Sequence, residues 1–131
     1  MREIKFRFFR EKPSPKMIYP ECDFLVNHLG TPMGIIRYPK NKIEVVELDV
    51  IPLQFTGLKD KNGKDIYEGD ILSNGFNATG VMKFNNGMFV CDFVYNNKLP
   101  KYNQEKCTFR IYSINMTTSV VGNIHENPEL L

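Results

Sequence analysis

Cysteine is scarce in this chain and poorly placed for either of its common structural uses. Cys22, Cys91 and Cys107 are odd in number and form no CxxC pair, which excludes a disulfide framework and points to a reducing compartment. Histidine is scarcer still, with only His28 and His125; a closed zinc site would need four ligands, and none of the usual local spacings occurs. No apolar run approaches the roughly 18 residues that cross a bilayer, so no membrane contact is expected. The opening residues Met1 to Arg7 alternate charged with apolar side chains, whereas a secretory signal needs an unbroken apolar stretch. A cytoplasmic location follows as the expectation. Excess charge is lacking too: 17 Lys plus Arg against 15 Asp plus Glu leave a formal net charge of +2, too little to dictate a nucleic-acid or anionic-membrane partner. Neither the P-loop nor the dinucleotide-binding glycine signature appears, which sets aside nucleotide chemistry on those scaffolds and leaves no cofactor implied.

What is present reads as β-structure. At 131 residues with 42% hydrophobic and 24% charged side chains, the chain suits one globular domain, 1–131. Ile4, Phe6 and Phe8 alternate with Glu3, Lys5 and Arg7, a period of two that predicts a strand with one face buried. Pro13 and Pro15 end it, and Lys16 to Tyr19 returns as the partner of an N-terminal hairpin. Residues 20–34 allow two readings, a short helix from Pro20 to Gly30 or an irregular loop with a strand fragment. Ile35–Tyr38 and Ile43–Ile51 read as strands stopped by Pro39 and Pro52. Leu53–Leu58 is extended, and Asn62-Gly63 is a tight-turn signal because both residues tolerate positive φ. Val81–Phe84 and Met88–Tyr95 flank Asn85-Asn86-Gly87 as a second hairpin. Cys107–Ile114 alternates, Thr117–His125 is a last strand with Gly122 as a bulge, and Asn127-Pro128 suits the cap of one helical turn. Many short strands with frequent turns predict an all-β fold: a small barrel, SH3-like in the C-terminal half (about 54–125), preceded by the N-terminal hairpin and an irregular insertion within 1–53.

Three blocks carry a family resemblance: Met1 to Arg7, Gln54 to Ile71 (QFTGLKDKNGKDIYEGDI) and Val120 to Leu131 (VVGNIHENPELL). Together they resemble the YopX family of small proteins encoded by bacteriophages and prophages. The resemblance implies a β-rich fold with an SH3-type barrel and a role in the cytoplasm of a bacterial host. It supplies no catalytic residues, and none of the three blocks that carry it falls within residues 19–52.

The acidic middle block invites a functional reading, with Asp60, Asp65, Glu68 and Asp70 inside eleven positions. A calcium loop fails there: Asp60 and Asn62 suit its first and third positions, but Lys64 replaces the fifth ligand and Asp65 the required glycine. As exposed turn carboxylates they lack the cleft that would separate an acid from a base. Gly57, Asn62, Gly63, Glu68, Gly69 and Asp70 are therefore read as a structural turn. Cys91 alternates with Phe89 and Phe93 and is expected in the core, where a thiol is inert. No catalytic, cofactor-binding or metal-ligating residue is assigned, and no enzyme is expected.

The functional candidate is the N-terminal strip, Lys5, Arg7, Phe9 and Arg10, since basic and aromatic groups on a β-surface can follow a phosphate backbone and stack bases; the structural alternative is an edge strand guarded by charge. Tyr95, Tyr102 and Tyr112 form a second aromatic group that would suit a peptide groove. The favoured function is a non-catalytic binding or assembly module with a protein partner or self-association. The alternatives are a nucleic-acid-binding accessory protein and, residually, an enzyme of unrecognised type.

Overall fold

The computed structural model describes residues 3–19, 24–75, 78–95, 107–110 and 117–131. The chain divides into two compact units, Lys5–Gln54 and Met1–Ile4 with Phe55–Leu131. Apart from two 3-10 turns, the regular structure among the described residues is all strand, and no helix is long and apolar enough to cross a membrane. The all-β expectation holds.

In the Lys5–Gln54 unit, β1 (Phe6–Arg10) pairs antiparallel with β2 (Lys16–Ile18), the expected hairpin, with Phe8 opposite Ile18. On its other edge β1 pairs with the start of β6 (Ile51–Lys59), Phe6 opposite Gln54 and Phe9 opposite Ile51. The expected division into one buried and one exposed face does not hold. Arg7, Phe8 and Phe9 are 2%, 2% and 5% exposed, and successive strand residues point to opposite faces, so both faces of β1 are covered there.

A second sheet in this unit has the order β3-β4-β5, formed by β3 (Phe24–Val26), β4 (Pro32–Tyr38) and β5 (Lys42–Glu47). It replaces the short helix considered for this stretch; residues 20–23 lie outside the described set. The β3–β4 turn is organised by Asn27, whose side-chain oxygen accepts from the backbone N–H of Leu29 and Thr31, both at 2.9 Å. This side chain thereby supplies the local partner that a helix would otherwise provide. Pro39–Asn41 makes a single 3-10 turn between β4 and β5. Pro52, expected to break a strand, sits at the second position of β6, where a missing N–H leaves the ladder from Leu53 onward intact.

In the unit containing Phe55–Leu131, the rest of β6 pairs with β7 (Asp65–Tyr67). A five-stranded antiparallel sheet follows, built from β8 (Asp70–Ser73), β9 (Ala78–Asn85), β10 (Met88–Tyr95), β11 (Cys107–Arg110) and β12 (Ser119–Asn123), in the order β11-β10-β9-β8-β12. Asn86 and Gly87 have φ of 51° and 79°, the left-handed pair that a two-residue hairpin needs. The register of β12 on β8 shifts between Val120 and Gly122, which places the expected bulge. Ile66, Leu72, Ala78, Met82, Phe89, Cys91 and Phe93 form the core. Gly80 is fixed by contact: a Cβ there would meet the Asp92 carbonyl oxygen at 2.5 Å and the Cys91 sulfur at 2.7 Å. The Pro128–Leu130 turn forms, but Asn127 does not cap it with its side chain. Its Oδ1 accepts from the Asn123 N–H at 3.3 Å instead.

Candidate functional site

The acidic middle block folds as the turn its glycines foretell. The Asp60 N–H donates to the Lys64 carbonyl at 2.8 Å and the Gly63 N–H to the Asp60 carbonyl at 3.0 Å. One carboxylate oxygen of Asp60 accepts from the N–H groups of Asn62 and Lys64, at 2.8 and 2.9 Å. The other reaches across 60 residues of sequence to accept from the Val120 N–H at 2.9 Å. The neighbouring Lys61 N–H donates to the Thr118 carbonyl at 3.0 Å. The turn is thus fastened along the start of β12, occupying backbone groups that an edge strand would otherwise offer to another chain.

These contacts correct one expectation about the carboxylates. Asp60 and Asp70 are 6% and 1% exposed, not exposed turn residues. Burial is tolerated because backbone N–H groups donate to both; Asp70 accepts from the Tyr67 N–H at 2.8 Å. Burial by itself pushes the Asp60 carboxyl up. The hydrogen bonds from Val120, Lys64 and Asn62, with the Lys64 charge, outweigh it and hold the group below the usual aspartate range. Asp65 pairs with Lys59 at 2.6 Å, and Glu68 is half-buried. Gly57, Gly63 and Gly69 carry φ of 88°, 81° and 84°. Gly69 also joins the two motif blocks, its N–H donating to the Met82 carbonyl at 2.8 Å and its carbonyl accepting from the Ile124 N–H at 2.9 Å. Among the described residues no three His, Cys, Asp or Glu side chains gather as metal ligands. What this block does chemically is bind backbone, its own and that of β12, and pair Asp65 with Lys59.

The N-terminal strip does not present four side chains to solvent. Arg7 and Phe9 are buried, and the Arg7 guanidinium donates to the Tyr19 hydroxyl at 3.3 Å. Lys5 and Arg10 are half-buried, and Arg10 donates to Ser14 Oγ at 3.5 Å. The tyrosine group offered as a peptide groove lies outside what is described, through Tyr102 and Tyr112 themselves and the side chain of Tyr95. Cys91 sits where alternation put it, fully buried between Phe89 and Phe93. Burial first, then the Asp92 charge, pushes its thiol up to about 12 against the opposing pull of Lys83, so no thiolate is at hand at neutral pH.

Two open surfaces stand out. On the outer side of β9 and β10 a trough of about 300 Å³ is lined by Thr79, Val81, Val94 and Leu131, with Lys83 and Asp92 in its wall. Those two form an ion pair at 2.9 Å. The second surface is the β3-β4-β5 sheet. Residues directly opposite in antiparallel strands share a face, and the register sets Leu25 against Met33, Ile35 against Val45 and Arg37 against Ile43. Ile43 and Val45 are 56% and 55% exposed and Leu25 is 39%, so this apolar face is open to solvent. β5 is also the edge strand of its sheet, and every residue in it but the half-buried Val46 is exposed. The turn beside it is pinned by the Tyr38 hydroxyl donating to Glu44 at 3.0 Å. That bond, with the Glu44 charge, holds the Tyr38 pKa above its ordinary value. Sequence reasoning singled out none of these residues, although Ile43, Val45 and Val46 interleaved with Lys42, Glu44 and Glu47 carry the signal of a two-sided strand.

Comparison with known proteins decides the family. The YopX protein family model matches residues 5–131. The chain belongs to the YopX family. Among solved structures, the X-ray structure of protein yopX from Bacillus subtilis is similar with a TM-score of 0.60 at 19% identity, covering 100% of this chain and 99% of that one. Protein EF1440 from Enterococcus faecalis is similar with a TM-score of 0.50 at 24% identity, covering 98% of each chain. At these identities the two solved structures carry the fold alone. No curated protein sequence matches.

Proposed function

We propose that this YopX-family chain is a phage- or prophage-encoded, non-catalytic binding or assembly module that works through the open β3-β4-β5 sheet in the cytoplasm of a bacterial host. The observation that carries the reading is the apolar face of Leu25, Ile43 and Val45 beside the exposed edge of β5. Contiguous exposed apolar surface marks interaction sites, and an unpaired edge strand is a template for another strand. Asp60 and Asp70 of the middle block support it from the other side, since their oxygens are engaged by backbone N–H groups rather than facing a cleft. We also read the 55–131 unit as SH3-like. Its β8-β9-β10-β11 meander, with β12 returning beside β8, is the strand order such barrels use. The basic-aromatic strand is the weaker nucleic-acid surface because two of its four residues are buried.

The test is affinity capture from phage-infected cells with the wild-type chain and with Ile43→Lys/Val45→Lys, alongside a low-salt titration against single- and double-stranded DNA and RNA. The expected result is protein recovered with the wild type and lost with the variant, and no nucleic-acid binding. The same proteins recovered with both chains, or salt-sensitive nucleic-acid binding undiminished in the variant, overturns the proposal.

A further inference from the structure

We infer that the occupant of the β5 edge is the β5 strand of a second copy, paired antiparallel about a two-fold axis through Val45. The inference rests on the open-sheet reading above and names its partner. A two-fold axis between antiparallel strands keeps each sheet face continuous, so residue i must stand opposite a residue of the same face, and one residue must stand opposite its own copy. Few registers of Lys42–Glu47 satisfy this over a useful length. Centring on Glu44 sets two carboxylates directly opposite each other, which is repulsive. Centring on Ile43 or Val46 leaves only three residues of each strand paired. Centring on Val45 pairs Ile43 to Glu47 along its whole length and opposes no like charges: Val45 meets its copy, Ile43 meets Glu47 of the second copy, and Glu44 meets Val46.

The neighbouring strand extends the match. β4 already places Ile35 opposite Val45 and Arg37 opposite Ile43. The joined sheet therefore carries a central row of four β-branched side chains, Ile35, Val45 and their two copies. On either side lies a row in which Arg37 of one copy and Glu47 of the other flank Ile43, opposite charges on one face. β-Branched pairs directly opposite each other stabilise antiparallel sheets, and Arg37 and Glu47, two strands apart, add a longer-range attraction of opposite charges. Glu44 and Glu47, charges that guard the β5 edge against indiscriminate addition, are in this register each placed directly opposite an apolar side chain, Val46 and Ile43. The pairing also closes on itself, because each copy uses its one β5 edge and offers no second.

The test uses the full chain in sedimentation equilibrium from micromolar concentration upward, with Val45→Lys, and with Val45→Cys and Glu47→Cys in a Cys22→Ser/Cys107→Ser background. The wild type is expected to dimerise. Val45→Lys places two ammonium groups on the axis and weakens the dimer roughly tenfold or more; because Val45 is half in solvent, its circular dichroism stays that of the wild type, and so does its thermal midpoint at dilutions where both chains are monomeric. Val45→Cys is expected to form a disulfide-linked dimer under mild oxidation, since directly opposed Cα atoms lie about 4.5–5.5 Å apart. Glu47→Cys is expected not to, its copy lying four residues along the strand at about 14 Å. A monomeric wild type, a dimer indifferent to Val45→Lys, or a dimer in which Glu47→Cys crosslinks as readily as Val45→Cys overturns the inference. A monomer that still loses a captured protein on Val45→Lys overturns the self-pairing alone and leaves the open-sheet reading standing.

Discussion

Removing the Asp60 carboxylate tests whether the acidic block is a fastener for β12. Asp60→Ala deletes the acceptor of three backbone N–H groups at 2.8–2.9 Å. Each bond to a charged acceptor contributes about 1.5–3 kcal/mol net. The full sum is not expected, because Asn62 and Lys64 are exposed and water can re-solvate their N–H groups. The Val120 N–H lies on a half-buried residue and has no such recourse. A loss of about 2–4 kcal/mol follows, or a fall in Tm of roughly 10 °C for a chain this size. Asp60→Asn keeps one acceptor oxygen for the turn but aims an NH₂ at the Val120 N–H, and is expected to lose about 2–3 kcal/mol. Asn62→Ala, whose backbone alone takes part, is expected to lose under about 0.5 kcal/mol. pH supplies a second readout. Folding lowers the Asp60 pKa, so the stability it contributes is complete above the unfolded-state value of about 4. That stability is lost as pH falls through the lower folded-state value. The gap between wild type and Asp60→Asn in urea titrations is therefore constant from neutrality to about pH 5 and narrows below pH 4. An Asp60→Asn chain within about 0.5 kcal/mol of wild type at neutral pH, or a gap that widens in acid, would refute the reasoning.

Other outcomes follow from individual contacts. Gly80→Ala drives a methyl group against the Asp92 carbonyl oxygen and the Cys91 sulfur and is expected to cost about 3 kcal/mol or more in urea denaturation. In a Cys22→Ser/Cys107→Ser background, the Cys91 thiol, buried and pushed up to about 12, is expected to react with an aromatic disulfide reagent only at the rate of unfolding; fast stoichiometric labelling of the native chain would contradict its place in the core. Arg7→Ala is expected to lower stability by about 1–3 kcal/mol, because it empties a buried position and removes the bond to Tyr19; no change in Tm would return Arg7 to the surface.

Sequence alone determined the features that short-range chemistry controls. Asn62-Gly63 and Asn86-Gly87 turn where they do because those residues accept positive φ. Phe89, Cys91 and Phe93 share the core because a strand alternates, and Gly122 bulges where a side chain would have met Asn127 and Leu130. Tertiary structure decided what depends on distant partners. Nothing local to Asp60 says that its second oxygen will find the Val120 N–H, so it read as a solvated turn carboxylate. Nothing local to Arg7 says that both faces of β1 will be covered, so alternation assigned it to solvent. The same limit hid the β3-β4-β5 sheet. The strand character of β5 is written in its β-branched residues, but whether that strand has neighbours on both edges or only one is set by topology, and strand composition carries no record of it.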